Sequence, residues 1–125
     1  MTTAPRAALE QVLREKGVDL KVGVVLGDDL RPRVDELFSG DDAGGTVEMF
    51  SGARYPESPL SVNAYLGARP IATLLARGCD IVVTGRIVDS AVTLGACMHE
   101  FGWRDDAYDA LAGATLAGHI IECGA

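Results

Sequence analysis

Residues 79–90, Cys79-Asp80-Ile81-Val82-Val83-Thr84-Gly85-Arg86-Ile87-Val88-Asp89-Ser90, constrain this chain more than any other stretch. Ile81 to Val83 form a short, β-branched run with no polar alternation. Such a run predicts a strand buried on both faces, the habit of a parallel sheet. Gly85 breaks the strand, and Asp89 or Ser90 can cap a following helix marked by Val92, Leu94 and Met98. In an open α/β sheet, the turn after a strand lies at the carboxyl end, where ligands bind. Here that turn carries Thr84, Arg86, Asp89 and Ser90.

The flanking sequence extends the pattern. Helices are predicted over residues 4–16, residues 30–38, from Pro70 to the stop at Gly78, over residues 89–101, and through Leu111, Leu116, Ile120 and Ile121 with Asp105 or Asp106 as cap. Strands are predicted over residues 20–26 and 79–84, with a short one over 46–50 and a strand-to-turn segment over 61–68. Residues 41–45 read as a loop, and 51–58 as irregular. The order α-β-α-(β)-β-α-β-α-α predicts one α/β domain over residues 1–125. It would be layered, with a mostly parallel sheet of three to four strands and helices on both faces.

The net charge of −7 argues against nucleic acid and against an anionic membrane as partners. The three cysteines, Cys79, Cys97 and Cys123, are odd in number and far apart, which fits reduced thiols in a cytoplasmic protein. No apolar run approaches the ~20 residues of a membrane span. There is no phosphate loop, no Gly-x-Gly-x-x-Gly turn and no Gly-x-Ser-x-Gly elbow, so no cofactor is predicted.

Several side chains can carry chemistry. Arg86 can hold a carboxylate or phosphate, and Asp89 can act as a base or orient Arg86; equally, Asp89 can cap the helix with Arg86 paired to it. Asn63 can hydrogen-bond a substrate carbonyl, and Tyr65 can donate or wall the pocket; turn chemistry and core packing are their structural alternatives. His119, Glu122 and Cys123 share a helical face. They offer two metal ligands with a carboxylate, or a Cys-His pair, or a helix end with Cys123 acting as a small apolar residue. Two helical ligands do not complete a zinc site, so no metal is expected. His99 reads as a helix C-terminal cation and Asp80 as structural at the opposite sheet edge; Asp28-Asp29 can hold Mg²⁺, but a helix cap plus a solvated carboxylate is the commoner role. The predicted catalytic residues are thus Asp89, His119 and Glu122; the predicted substrate-binding residues are Asn63, Tyr65, Arg86 and Ser90.

Six segments together resemble the acyclic terpene utilisation family. They are residues 63–68 (Asn-Ala-Tyr-Leu-Gly-Ala), Pro70-Ile71, residues 80–86 (Asp-Ile-Val-Val-Thr-Gly-Arg), Asp89-Ser90, residues 99–103 (His-Glu-Phe-Gly-Trp) and residues 117–124 (Ala-Gly-His-Ile-Ile-Glu-Cys-Gly). Residues 18–30 are similar to a lesser degree. The resemblance implies an internal piece of the family's longer N-terminal domain. It also implies a role in breakdown of citronellol and geraniol through acyl-CoA thioesters, with a small-molecule, acyl-CoA-type substrate. The alternative is a non-catalytic subunit. A homo-oligomer, or a partner chain supplying missing strands, is expected in either case, because a strand apolar on both faces needs cover and an open edge invites pairing.

Overall fold

A computed structural model describes residues 3–38, 47–56 and 58–124. It is a mixed α/β structure with five helices: α1 (Thr3–Lys16), α2 (Val34–Phe38), α3 (Arg69–Ala76), α4 (Ala91–Glu100) and α5 (Tyr108–Cys123). Two strands, β1 (Val22–Val25) and β2 (Ile81–Thr84), pair in parallel with Val22 opposite Ile81 and Val25 opposite Thr84. The helices and both strands stand close to where the hydrophobic spacing puts them. Gly17, at φ 65°, ends α1, and Gly78, at φ 75°, ends the turn after α3. Only glycine enters that region without a Cβ penalty.

The expected three to four strands reduce to two among the described residues. Residues 61–68 do not form a strand because the segment changes partner halfway. Asn63 bridges Asp29 in antiparallel sense, and Leu66 then bridges Ile87 in parallel. The Ala64 N–H donates to the Asp28 carbonyl at 2.8 Å, and the Leu66 N–H to the Arg86 carbonyl at 3.2 Å. The segment is stitched across the ends of both strands and never makes two consecutive rungs with either.

The short strand at 46–50 is also replaced. Thr46 lies outside the described residues, as does the loop at 41–45. Val47 makes one antiparallel bridge to Arg54, and the Glu48 carboxylate accepts the Phe50 N–H at 3.0 Å. A carboxylate that captures local amides favours a turn over a ladder.

Nor is β2 buried on both faces: all four of its residues are half-buried. Its one neighbouring strand among the described residues is β1. At the amino end, the Lys21 N–H donates to the Asp80 carboxylate at 2.8 Å and the Asp80 N–H donates to the Lys21 carbonyl at 2.9 Å. That is the structural role expected of Asp80.

The core is small. Val25, Ala68, Ile71 and Ala91 are buried at its centre, with Leu66, Leu74, Val82, Ile87, Leu94 and Met98 packed around them. Helix α1 buries no residue; Val12, on its predicted apolar face, remains 51% exposed. The α3–α4 and α4–α5 contacts each depend on a glycine. A Cβ at Gly95 would meet the Ile71 Cβ at 2.8 Å, and one at Gly118 would meet the Ser90 carbonyl at 2.9 Å. Ser90 stands at the N-cap position of α4, but its side chain makes no capping hydrogen bond. The predicted caps Asp105 and Asp106 likewise make none: Asp105 pairs with Arg69 at 2.7 Å and Asp106 with Arg104 at 3.0 Å.

Gly118 and Gly113 lie on the same helix in opposite situations, since a Cβ at Gly113 meets nothing within 4 Å. Gly118→Ala is expected to destabilise the fold by about 1–3 kcal/mol through overpacking. Gly113→Ala should stabilise it by about 0.5–1 kcal/mol by restoring helix propensity. Urea unfolding of the two variants checks the opposite signs.

Candidate functional site

The parallel pair ends in two glycine-containing turns, Gly27-Asp28 after β1 and Gly85-Arg86 after β2. Asp28 is buried, with 9% of its surface exposed. Its Oδ2 accepts the Arg86 N–H at 2.9 Å and the Asn63 amide at 3.3 Å. The solvated carboxylate expected at this position is therefore a buried tie between the two strand ends. A Cβ at Gly85 would collide with the Asp28 carboxylate, so glycine there is a steric requirement. Asp29 does the local work instead. Its carboxylate holds the Arg31 guanidinium through two contacts, at 2.9 and 2.6 Å, and accepts the Arg31 N–H. Those bonds to Arg31 lower the Asp29 carboxyl to a pKa of about 2.

A cleft of about 660 Å³ opens at this carboxyl edge. Asp28, Asn63, Arg86, Asp89, Val92 and Glu122 are among the residues lining it. The guanidinium of Arg86 stands 5.5 Å from the centre of the Tyr65 ring, within reach of cation–π attraction. Among the described residues it makes no ion pair, with Asp89 or any other carboxylate. Asn63 directs its amide at Asp28, and Tyr65 is largely exposed as the platform for Arg86.

Asp89 is turned toward α5. It does not cap α4; its Oδ2 lies 3.6 Å from Nδ1 of His119 and 3.6 Å from Sγ of Cys123. Cys123 Sγ is in turn 3.7 Å from His119 Nδ1 and donates to the Glu122 carboxylate at 2.8 Å. The three cysteines are free, and Cys123 is exposed, unlike the apolar filler it can also be read as. Its thiol is pushed up to about 11, first by the hydrogen bond to Glu122, then by desolvation and by the charges of Glu122 and Asp89.

Four of the seven predicted residues, Asn63, Arg86, Asp89 and Glu122, line the cleft, with Tyr65 against Arg86 and His119 beside Asp89. Ser90 is buried beneath α5, against Gly118, and does not line the cleft. His99 stands in the last turn of α4, as its spacing implies. Sequence reasoning missed Asp28 as part of the site, and it grouped Cys123 with His119 and Glu122 without its contact to Asp89. The signal for Asp28 is the glycine directly after β2, Gly85, whose missing Cβ leaves room for a carboxylate.

The family model described as acyclic terpene utilisation family protein AtuA matches residues 2–125. That span is wider than the segments that carry the resemblance. No curated protein and no solved structure matched the chain.

A thiol held near 11 is protonated at neutral pH, so Cys123 is a poor nucleophile there. With a chelator present, its alkylation by iodoacetamide at pH 8 is expected to be ~10-fold or more slower than that of free cysteine. The rate should climb as pH rises toward the thiol's own pKa, and Glu122→Gln should raise it at fixed pH. Mass-spectrometric time courses at Cys123 check both trends.

Proposed function

Because this chain belongs to the acyclic terpene utilisation family, we propose that its cleft binds an acyl-CoA-type intermediate of isoprenoid breakdown, of the kind formed from citronellol or geraniol. The observation that carries this reading is Arg86. It is a cation fixed on Tyr65, with its backbone tied to Asp28, at the wall of a cleft whose other lining includes Ile87, Val88 and Val92. An anion-binding fork beside an apolar wall suits a thioester that carries phosphates at one end and a branched chain at the other.

In this reading Asp89 and His119 form the proton-transfer pair. Their 3.6 Å separation sets the carboxylate beside the imidazole, where it can orient the ring. Glu122, on the same wall, is the second acid or base. Asn63 serves by fixing Asp28, which in turn holds the Arg86 backbone. A cytoplasmic setting belongs to the same proposal, supported by the three free thiols. Isothermal titration with citronellyl-CoA is the test. Saturable binding that weakens about tenfold or more in Arg86→Ala is expected, the loss of one charge-assisted contact. Equal affinity in the variant would count against Arg86 as the anchor, and absence of binding to the parent chain would count against the substrate class.

A second reading has its own observation. Half-buried β2 and the exposed Leu60 (96%) and Phe50 (88%) leave apolar surface that a companion chain can cover. We propose a homo-oligomer, or a complex with a partner chain that adds strands. Sedimentation at micromolar concentration should then show a species heavier than the 13.1 kDa chain. A single 13.1 kDa species with a cooperative thermal transition would sink this second reading.

A further inference from the structure

His119 and Cys123 offer two metal-binding atoms from the last turns of α5. Two such atoms are too few for a zinc site. The fold supplies a third. Asp89, in the turn after β2, brings its carboxylate between them from a different element. The three pairwise separations are 3.6 Å for Asp89 Oδ2 to His119 Nδ1, 3.6 Å for Asp89 Oδ2 to Cys123 Sγ, and 3.7 Å for His119 Nδ1 to Cys123 Sγ. Zinc bonds of about 2.0–2.3 Å at tetrahedral angles put the ligand atoms of one ion about 3.3–3.6 Å apart. The three atoms therefore already form one face of such a tetrahedron, to within a few tenths of an ångström.

The packing that creates this face is not incidental. Ser90 follows Asp89 and Gly118 precedes His119, and the Gly118 backbone lies against the Ser90 backbone with no room for a Cβ. That contact sets the distance between the two elements bearing the ligands. The cluster offers three ligand atoms, which leaves the fourth position of the tetrahedron to a non-protein ligand, and Asp89 and Glu122 also line the cleft. Three protein ligands with an open fourth position is the pattern of catalytic rather than structural zinc.

We propose that Asp89, His119 and Cys123 form a binding site for one borderline-soft divalent metal ion, Zn²⁺ or Co²⁺, at the rim of the cleft. The mixed nitrogen, sulfur and oxygen set favours these ions over Mg²⁺ and Ca²⁺, which prefer oxygen alone. Glu122, whose carboxylate accepts from the Cys123 thiol at 2.8 Å, is the neighbouring carboxylate able to accept a proton from a bound water. On binding, the Cys123 thiol loses its proton and the metal takes its place. The proposal does not depend on the acyl-CoA reading, because the site is defined by its own geometry and its test needs no substrate; in the metal-bound form Asp89 and His119 serve as ligands in place of the proton-transfer pair.

The experiment is titration of the metal-free chain with Co²⁺, followed by absorption. One equivalent should bind and produce a thiolate-to-cobalt charge-transfer band in the near ultraviolet. Zn²⁺ should abolish the band by displacement, and excess Mg²⁺ should leave it unchanged. Cys123→Ser should eliminate the band, while Asp89→Asn and His119→Ala should weaken binding roughly tenfold or more. Cys97→Ser should leave both band and affinity unchanged. All three ligand side chains are exposed, so their replacement removes no core packing; melting temperatures equal to the parent's confirm intact folds. A band that persists in Cys123→Ser, parental affinity in both Asp89→Asn and His119→Ala, or no saturable Co²⁺ binding at micromolar metal would each overturn the proposal.

Discussion

The buried Asp28 carboxylate is the interaction on which the site depends. It lies in the turn after β1, yet it accepts its hydrogen bonds from the turn after β2 and from the segment that crosses both strands. A buried carboxylate is costly unless its oxygens are paired, and an amide left without it would be costly as well. The two turns are consequently fixed relative to each other, and Gly85 provides the space in which this happens. Arg86 inherits its position from the same bond: its backbone donates to Asp28, so the guanidinium starts from a fixed point beside the cleft.

A second constraint acts between helices. Gly95 and Gly118 let α3, α4 and α5 approach until backbone meets side chain or backbone. Close approach compensates for a core in which no large side chain among the described residues is fully buried. It also has a chemical effect. Because Gly118 seats α5 on the turn that holds Asp89 and Ser90, the residues on either side of that contact, Asp89 and His119, face each other at 3.6 Å.

Much of the framework was legible in the sequence because it is local. The apolar run of Ile81 to Val83, the glycine stops and the 3.6-residue spacing of α3 to α5 each report on a few neighbouring residues. So the turn bearing Arg86 and Asp89 could be assigned to the carboxyl edge. What the sequence concealed is long-range. Asp28 meets a partner 58 residues away, and Cys123 meets Asp89 across 34. An aspartate after a strand has the same local signature whether it faces water or a neighbouring turn. Residues 61–68 concealed a different fact: their composition suits an extended chain, and extended they are, but periodicity cannot tell one partner from two alternating partners. Nor does a glycine inside a helical pattern disclose whether its missing side chain leaves open water, as at Gly113, or a helix contact, as at Gly118.

The stitching of residues 61–68 across both strand ends changes what occupancy of the cleft means thermodynamically. The rim is not a hinged flap that can open while the sheet stays closed. Its amides are hydrogen-bonded to the carbonyls of Asp28 and Arg86, residues that also line the cleft. A ligand held by those residues binds only the assembled strand pair, so its binding free energy adds to the stability of the sheet itself. Ligand saturation should therefore register as protection against global unfolding and as slowed amide exchange along β1 and β2, a signature of linkage between recognition and folding rather than of lid closure.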